Sequence, residues 1–140
     1  MFDSEKLVKE VNTRGKDWSQ LEKARFIYIE LGKYYVYDHR FVSTEKLSDR
    51  KRIAEMDIKD IVDNKIVCVS AAKIYTNLLC QCGIDAKTVF IAPDEKDPKD
   101  VGHAYTKFII DGKEGSAGLI KDLSNIKAGF KTEDFLKVIK

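Results

Sequence analysis

The sequence predicts an α+β fold, in which helices in the first part of the chain pack on an antiparallel sheet formed by the second part. Apolar residues recur three and four positions apart as far as Cys82, which is a helical spacing. From Asp85 onward, β-branched and aromatic runs alternate with turn signals, which favours strands. Helices followed by antiparallel strands are typical of the α+β class. The 140 residues contain no repeat or linker, so we expect one domain over residues 1–140.

Three segments of the first part have helical patterns. The first, residues 19–38, has Ser19 as a candidate N-cap and ends near Gly32. Its apolar face comprises Leu21, Ala24, Ile27, Tyr28 and Leu31. A weaker pattern covers residues 50–64. The third helix runs from about Cys68 to Cys82, and its very regular apolar face comprises Cys68, Ala71, Ala72, Tyr75, Leu78, Leu79 and Cys82.

The second part of the chain has the signals of a sheet. Residues 85–92 are β-branched and aromatic, and residues 103–110 and 116–123 are two further strand patterns. The intervening "DGKEG" indicates that the last two strands form a hairpin. The tail, residues 131–140, is predicted to be a short helix with Thr132 as its cap.

Charge and composition exclude several functional classes. The net charge of +2 favours neither a nucleic-acid surface nor an anionic membrane. No apolar run approaches the ~20 residues of a membrane span, and the N-terminus lacks the apolar core of a signal peptide. We therefore expect a soluble, cytoplasmic protein, with export by a route without a cleaved signal left open. The three cysteines indicate reduced thiols rather than a disulfide framework. The oligomeric state is left open.

Cys68 has two interpretations. As the first member of an apolar helix face it is a small core residue, and the spacing alone favours this interpretation. It also lies where the helix dipole and unpaired N–H groups favour a thiolate, the nucleophilic form of cysteine. A nucleophilic thiol needs a nearby imidazole to accept its proton and a third group to orient that imidazole.

His103 is the better placed of the two histidines. It opens a strand after a loop, whereas His39 follows a helix among charged residues. If paired positions of the hairpin sum to 225, His103 lies opposite Asp122; if a tight turn at Asp111-Gly112 makes the sum 223, Asp122 is a diagonal neighbour on the same face. A three-residue loop without a bulge would put the two on opposite faces.

The order Cys68, His103, Asp122 resembles the transglutaminase-like branch of the papain-like cysteine protease superfamily. The likeness extends to other positions of roughly residues 18–125. The members of this wider match are Glu22-Lys23-Ala24, Ile27, Tyr37-Asp38, Ala72, Gly83-Ile84 and Ala104-Tyr105. The resemblance implies a papain-like core in which a central cysteine-bearing helix packs on an antiparallel sheet.

The resemblance implies a thiol-dependent acyl-transfer enzyme acting on protein or peptide amides. Cys68 is then the nucleophile, His103 the general base and acid, and Asp122 the orienting carboxylate. We expect hydrolysis, as in a cysteine protease or deamidase, because so small a domain has little room to exclude water. Two alternatives remain open: transglutaminase-type amine transfer, and a non-catalytic protein-interaction module on the same fold.

We expect no cofactor and no metal. Cys80-Gln81-Cys82 raises the alternative of a metal site, but residues two apart on a helix do not share a face. The usual two-residue gap between paired zinc-binding cysteines is also missing. Cys82 is predicted to be a core residue and Cys80 a partly exposed one.

Overall fold

A computed structural model describes residues 2–37, 64–91, 96, 103–117 and 137–139. These residues form three helices, α1 (Ser4–Thr13), α2 (Gln20–Tyr34) and α3 (Cys68–Gln81). They also form six strands, β1 (Val36–Tyr37), β2 (Lys65–Ile66), β3 (Asp85–Ile91), β4 (His103–Ile110), β5 (Lys113–Ala117) and β6 (Lys137–Ile139). The combination of helices with an antiparallel sheet agrees with the predicted α+β class. The predicted helix at 50–64 lies almost wholly outside the described residues.

Helix α2 begins where the sequence predicts. The hydroxyl of Ser19 accepts a hydrogen bond from the N–H of Glu22, 3.1 Å away, which satisfies one of the free donors of the first turn. Leu21, predicted on the apolar face, is instead 45% exposed, because it lies in the first turn and beside the packed surface. After Tyr34 the chain turns into β1, which pairs in parallel with β2.

Helix α1 was not predicted, although it carries a local signal. The carboxylate of Asp3 caps it by accepting the N–H of Lys6 at 3.0 Å. Leu7 and Val11, one turn apart, are its buried residues, and partly buried Val8 also packs against the core. So short an apolar pattern is a weak periodic signal, and tertiary packing holds this helix.

Helix α3 is the centre of the core. Its side chains pack between α2 on one side and the sheet on the other, and the hydroxyl of buried Tyr75 donates to the carbonyl oxygen of Ala24 on α2 at 2.9 Å. The largest fully buried side chains of the described residues are Tyr28, Tyr75, Phe108, Ile27, Leu31, Ile66, Leu78, Leu79, Ile84, Val11 and Val67. No described helix has the length and apolar character needed to cross a bilayer.

The larger sheet is antiparallel in the order β3-β4-β5-β6. Strands β3 and β4 follow the predicted segments, whereas β5 begins three residues before its predicted start. The predicted terminal helix is wrong at its end, because Lys137–Ile139 form β6 and pair with β5. Thr132, its predicted cap, lies outside the described residues.

A two-residue turn fixes the register of the β4–β5 hairpin. Asp111 and Gly112 have φ angles of 53° and 76°, the left-handed pair that a tight hairpin turn requires. Thr106 consequently pairs with Ala117, so paired positions sum to 223. This result selects the second of the registers considered above.

Helix α3 lies along the sheet with its first turn at the end of β3 and the beginning of β4. The hydroxyl of Thr88 on β3 contacts Thr76 in the middle of the helix, and the sulfur of Cys80 near its end contacts the carbonyl of Ala86. At the other end, Ala104 of β4 packs against the first turns. Cys68 and the backbone of His103 therefore lie at the same end of the sheet.

Candidate active site

Cys68 is the first residue of α3, and no side chain caps the helix. Val67 occupies the N-cap position and makes no side-chain hydrogen bond to the first turn. The hydroxyl of Ser70 instead accepts the N–H of Val67 at 3.1 Å and donates to its carbonyl at 3.0 Å. The positive end of the helix dipole is thus left without a capping acceptor, and the thiol of Cys68 lies beside it.

The Cys68 thiol is partly exposed and packs against both the main core and a small cluster of Val69, Ala72 and Ala104. Burial raises the pKa of the Cys68 thiol above its ordinary value, because it penalises the charged sulfur. Hydrogen bonds from the backbone N–H groups of Ala104, Val69 and Cys68 lower the pKa, but burial is the larger effect. A thiol in this setting needs a proton acceptor before it can react as a thiolate at neutral pH.

Packing places the beginning of β4 beside Cys68. The cluster against which Cys68 packs contains Ala104, which follows His103 directly, and the backbone N–H of Ala104 lowers the pKa of the thiol. His103 is the first residue of β4 and pairs with Ile91 of β3. Its side chain, like all of His39, lies outside the described residues.

Strand alternation sets a condition on the role of His103. Ala104, Thr106 and Phe108 are buried on the face that meets α3. Position 103 falls on the other face, with Tyr105. Pairing of the imidazole with Cys68 therefore requires the chain to depart from regular alternation at the first residue of the strand.

Asp122 lies outside the described residues, so its place beside His103 stays a prediction. The observed register supplies one constraint. The pair Thr106–Ala117 agrees with the sum of 223, the alternative for which the sequence predicts Asp122 as a diagonal neighbour of His103.

Phe90 is a candidate site residue that the sequence argument missed. It pairs directly with Ala104, and directly opposed residues share a face of the sheet, so Phe90 lies on the same face as the packed side of Cys68. Yet 59% of Phe90 is exposed, the largest value among the exposed large apolar residues of the described chain. The strand pattern in the sequence indicates which face of the sheet Phe90 lies on. It does not indicate the exposure of Phe90, which depends on where α3 begins over the sheet.

The other two cysteines have different surroundings. Cys80 is exposed and its sulfur donates to the carbonyl of Ala86 at 3.4 Å, whereas Cys82 is buried just after the helix. Within the part of the chain that the structure describes, no three side chains of the metal-binding types are grouped together. These two thiols are best explained as an exposed helix residue and a core residue.

Comparisons of this chain with protein-family models, curated proteins and solved structures find no match. The likeness to transglutaminase-like proteins therefore rests on the sequence motifs given above. The geometry adds one independent point, the proximity of the Cys68 sulfur to the backbone that follows His103.

Proposed function

We propose that this protein is a thiol-dependent acyl-transfer enzyme of transglutaminase-like type, acting on amide bonds of proteins or peptides. The observation that carries the proposal is the position of Cys68. Its thiol lies at an uncapped helix start and packs against the cluster that contains Ala104, the residue that follows His103. This arrangement brings a nucleophile of the required type to the strand end that bears the better placed histidine.

In the proposed reaction His103 takes the thiol proton of Cys68, and the sulfur attacks the carbonyl carbon of the amide. The C–S bond forms, the C–N bond breaks, and the imidazolium gives its proton to the departing amine. Water then attacks the thioester with His103 as base, releasing a carboxylic acid and restoring the thiol. Asp122 orients the imidazole, and the resemblance assigns the N–H of Cys68 to the oxyanion of the tetrahedral intermediate.

The electrostatics explain why this chemistry depends on His103. Burial keeps the pKa of the Cys68 thiol above its ordinary value despite three backbone N–H groups, so the sulfur carries its proton at neutral pH unless a base takes it. An imidazole titrates close to neutrality and meets that need. The same reasoning separates the proposal from a non-catalytic interaction module, in which the thiol would stay protonated and unreactive.

The test is the rate of alkylation by iodoacetamide between pH 5 and 10, followed by mass spectrometry of the peptides. Cys80, exposed on the same helix, is the internal reference thiol. We expect Cys68 to react faster than Cys80 below pH 7, and His103→Ala to remove this advantage by about tenfold or more. His39→Ala, which removes the only other histidine, is the matched control.

A Cys68 that reacts more slowly than Cys80 at every pH, with no effect of His103→Ala, would contradict the proposal and favour the interaction module. If the thiol is reactive, the next question is whether water or an amine accepts the acyl group. Glutamine-containing peptides, tested with and without a fluorescent primary amine, distinguish these two acceptors. Release of ammonia without incorporation of the amine indicates hydrolysis, whereas incorporation indicates transamidation.

A further inference from the structure

Three threonines link α3 to the two strands beneath it. The hydroxyl of Thr88 on β3 donates to that of Thr76 on α3 at 3.0 Å. The hydroxyls of Thr76 and of Thr106 on β4 are also 3.0 Å apart. The Thr106 hydroxyl in turn donates to the carbonyl oxygen of Ala72 on α3 at 2.9 Å. We call these four groups the threonine chain; it crosses from sheet to helix, to sheet and back to helix.

The threonine chain has a single consistent direction of donation. Thr106 has one proton and gives it to Ala72, so in its contact with Thr76 it accepts. Thr76 must therefore donate to Thr106 and accept from Thr88. Thr106 is fully buried, so loss of its partner would leave a polar group without water.

Directional bonds add to the apolar packing in fixing the helix along its axis. The remaining contacts of α3 with the sheet are largely apolar, and hydrophobic attraction has no preferred direction. A shift by one residue would move the helix by about 1.5 Å along its axis. That displacement is large enough to break hydrogen bonds of 2.9 to 3.0 Å.

The threonine chain is directly adjacent to the candidate nucleophile. Ala104 lies two residues before Thr106 on the same face of β4, and Cys68 lies one helical turn before Ala72 on the same face of α3. Two residues of strand span about 6.6 Å. Four residues of helix span about 6 Å. Strand β4 therefore contacts α3 at two neighbouring levels. One is the bond from Thr106 to Ala72, and the other is the packing of Ala104 near Cys68.

We infer that Thr106 is a positioning residue, which holds the first turn of α3, with Cys68, beside Ala104 by fixing α3 along β4. The inference deepens the proposed function and rests on it for its catalytic meaning. Thr106 itself touches neither substrate nor sulfur in this scheme.

The test uses Thr106→Val, which keeps the shape of the side chain and removes the hydroxyl. We expect the alkylation rate of Cys68 at pH 7, relative to Cys80, to fall about fivefold, the scale of the lost bond to Ala72; the bond from Thr76 is lost as well. The pH midpoint of the alkylation should rise, because the N–H of Ala104 that lowers the pKa of Cys68 moves out of place. Thr106→Ser should retain both the rate and the midpoint.

Thr88→Val is the matched control, because it removes the first donor of the threonine chain and leaves the bond from Thr106 to Ala72 in place. We expect it to lower the free energy of unfolding without moving the midpoint of Cys68. The inference would be overturned if both variants changed the alkylation rate and midpoint of Cys68 simply in proportion to the stability that each one loses. If Thr106→Val does not fold, Thr106→Ser against Thr106→Ala makes the same comparison.

The two possible failures differ in these data. A wild-type Cys68 whose reactivity does not depend on His103 contradicts the proposed function, while a midpoint that still moves in Thr106→Val supports positioning of the sulfur. A His103-dependent Cys68 that is unchanged in folded Thr106→Val supports the function and overturns the positioning role.

Discussion

Single residues set the chemistry at the start of α3, and Phe90 offers a way to test the shape of the site. It lies across from Ala104 and 59% of it is exposed. Its exposed aromatic ring, on the face of the sheet that packs on Cys68, supplies an apolar surface for a group that approaches the thiol. The proposed enzyme is accordingly expected to favour substrates with an apolar group near the amide.

Phe90→Ala should reduce this preference, and the effect can be measured without a known substrate. We expect N-benzylmaleimide to react with Cys68 faster than N-methylmaleimide, and Phe90→Ala to lower the ratio of the two rates by about fivefold, the scale of one aromatic contact. Ile109→Ala is the control, because this residue is 42% exposed at the far end of β4. A ratio unchanged in Phe90→Ala would show that the ring does not border the thiol.

At the scale of elements, the β4–β5 hairpin depends on its turn. Asp111 and Gly112 both have positive φ, and a side chain at Gly112 would be strained despite open space around it. We expect Gly112→Ala to lower the free energy of unfolding by about 1–2 kcal/mol. Urea denaturation measures the change, with Lys113→Ala at the next, exposed position as the control. A loss below a few tenths of a kcal/mol would mean that the hairpin tolerates another turn.

Elements with local signals were predictable, and those held by distant partners were not. Ser19 marks the start of α2, and the aromatic and β-branched content of β3 and β4 marks both strands. Strand β6 exists because Lys137–Ile139 pair with β5, a partner that its own local pattern does not indicate. Paired strands also fit closely: Gly115 of β5 lies against Phe108 of β4, and an added Cβ at Gly115 would lie 2.4 Å from the ring.

The candidate site was likewise predictable only where its signals are local in the sequence. The first turn of α3 is predictable from its spacing, and the hairpin register could be reduced to a few alternatives. The packing of Cys68 beside Ala104 could not be predicted, since it depends on how far α3 extends along β4. The threonine chain was equally hidden, because Thr76, Thr88 and Thr106 meet only when the helix is placed on the sheet.

For the whole molecule, burial of weak acids determines how stability responds to alkali. Burial raises the pKa values of Tyr75, Cys82 and Tyr35 above their ordinary values. Each group thus keeps its proton to higher pH in the folded chain than in the unfolded chain, so unfolding releases protons. The free energy of unfolding therefore falls as pH rises, from about 8.5 for the thiol of Cys82 and about 10 for the tyrosines.

Tyr75→Phe isolates the largest part of this response. At pH 7 we expect it to lower the free energy of unfolding by about 1 kcal/mol, because the hydrogen bond to Ala24 is lost. Above pH 10 the variant should lose stability less steeply than the wild type, since one buried acid is gone. Denaturation at pH 7, 9 and 11 measures both effects, with Tyr105→Phe, at a partly exposed position, as control. Parallel losses in wild type and Tyr75→Phe would contradict the assignment.

The turn at Asp111–Gly112 has a practical consequence for handling the protein. It closes β4 at the end opposite Ala104, roughly 23 Å away along seven residues of strand. A dye, an affinity handle or a tether to a solid support introduced at this turn would hold the molecule by the edge remote from Cys68. Reagents and peptides would then reach the thiol on an immobilised sample much as they do in free solution.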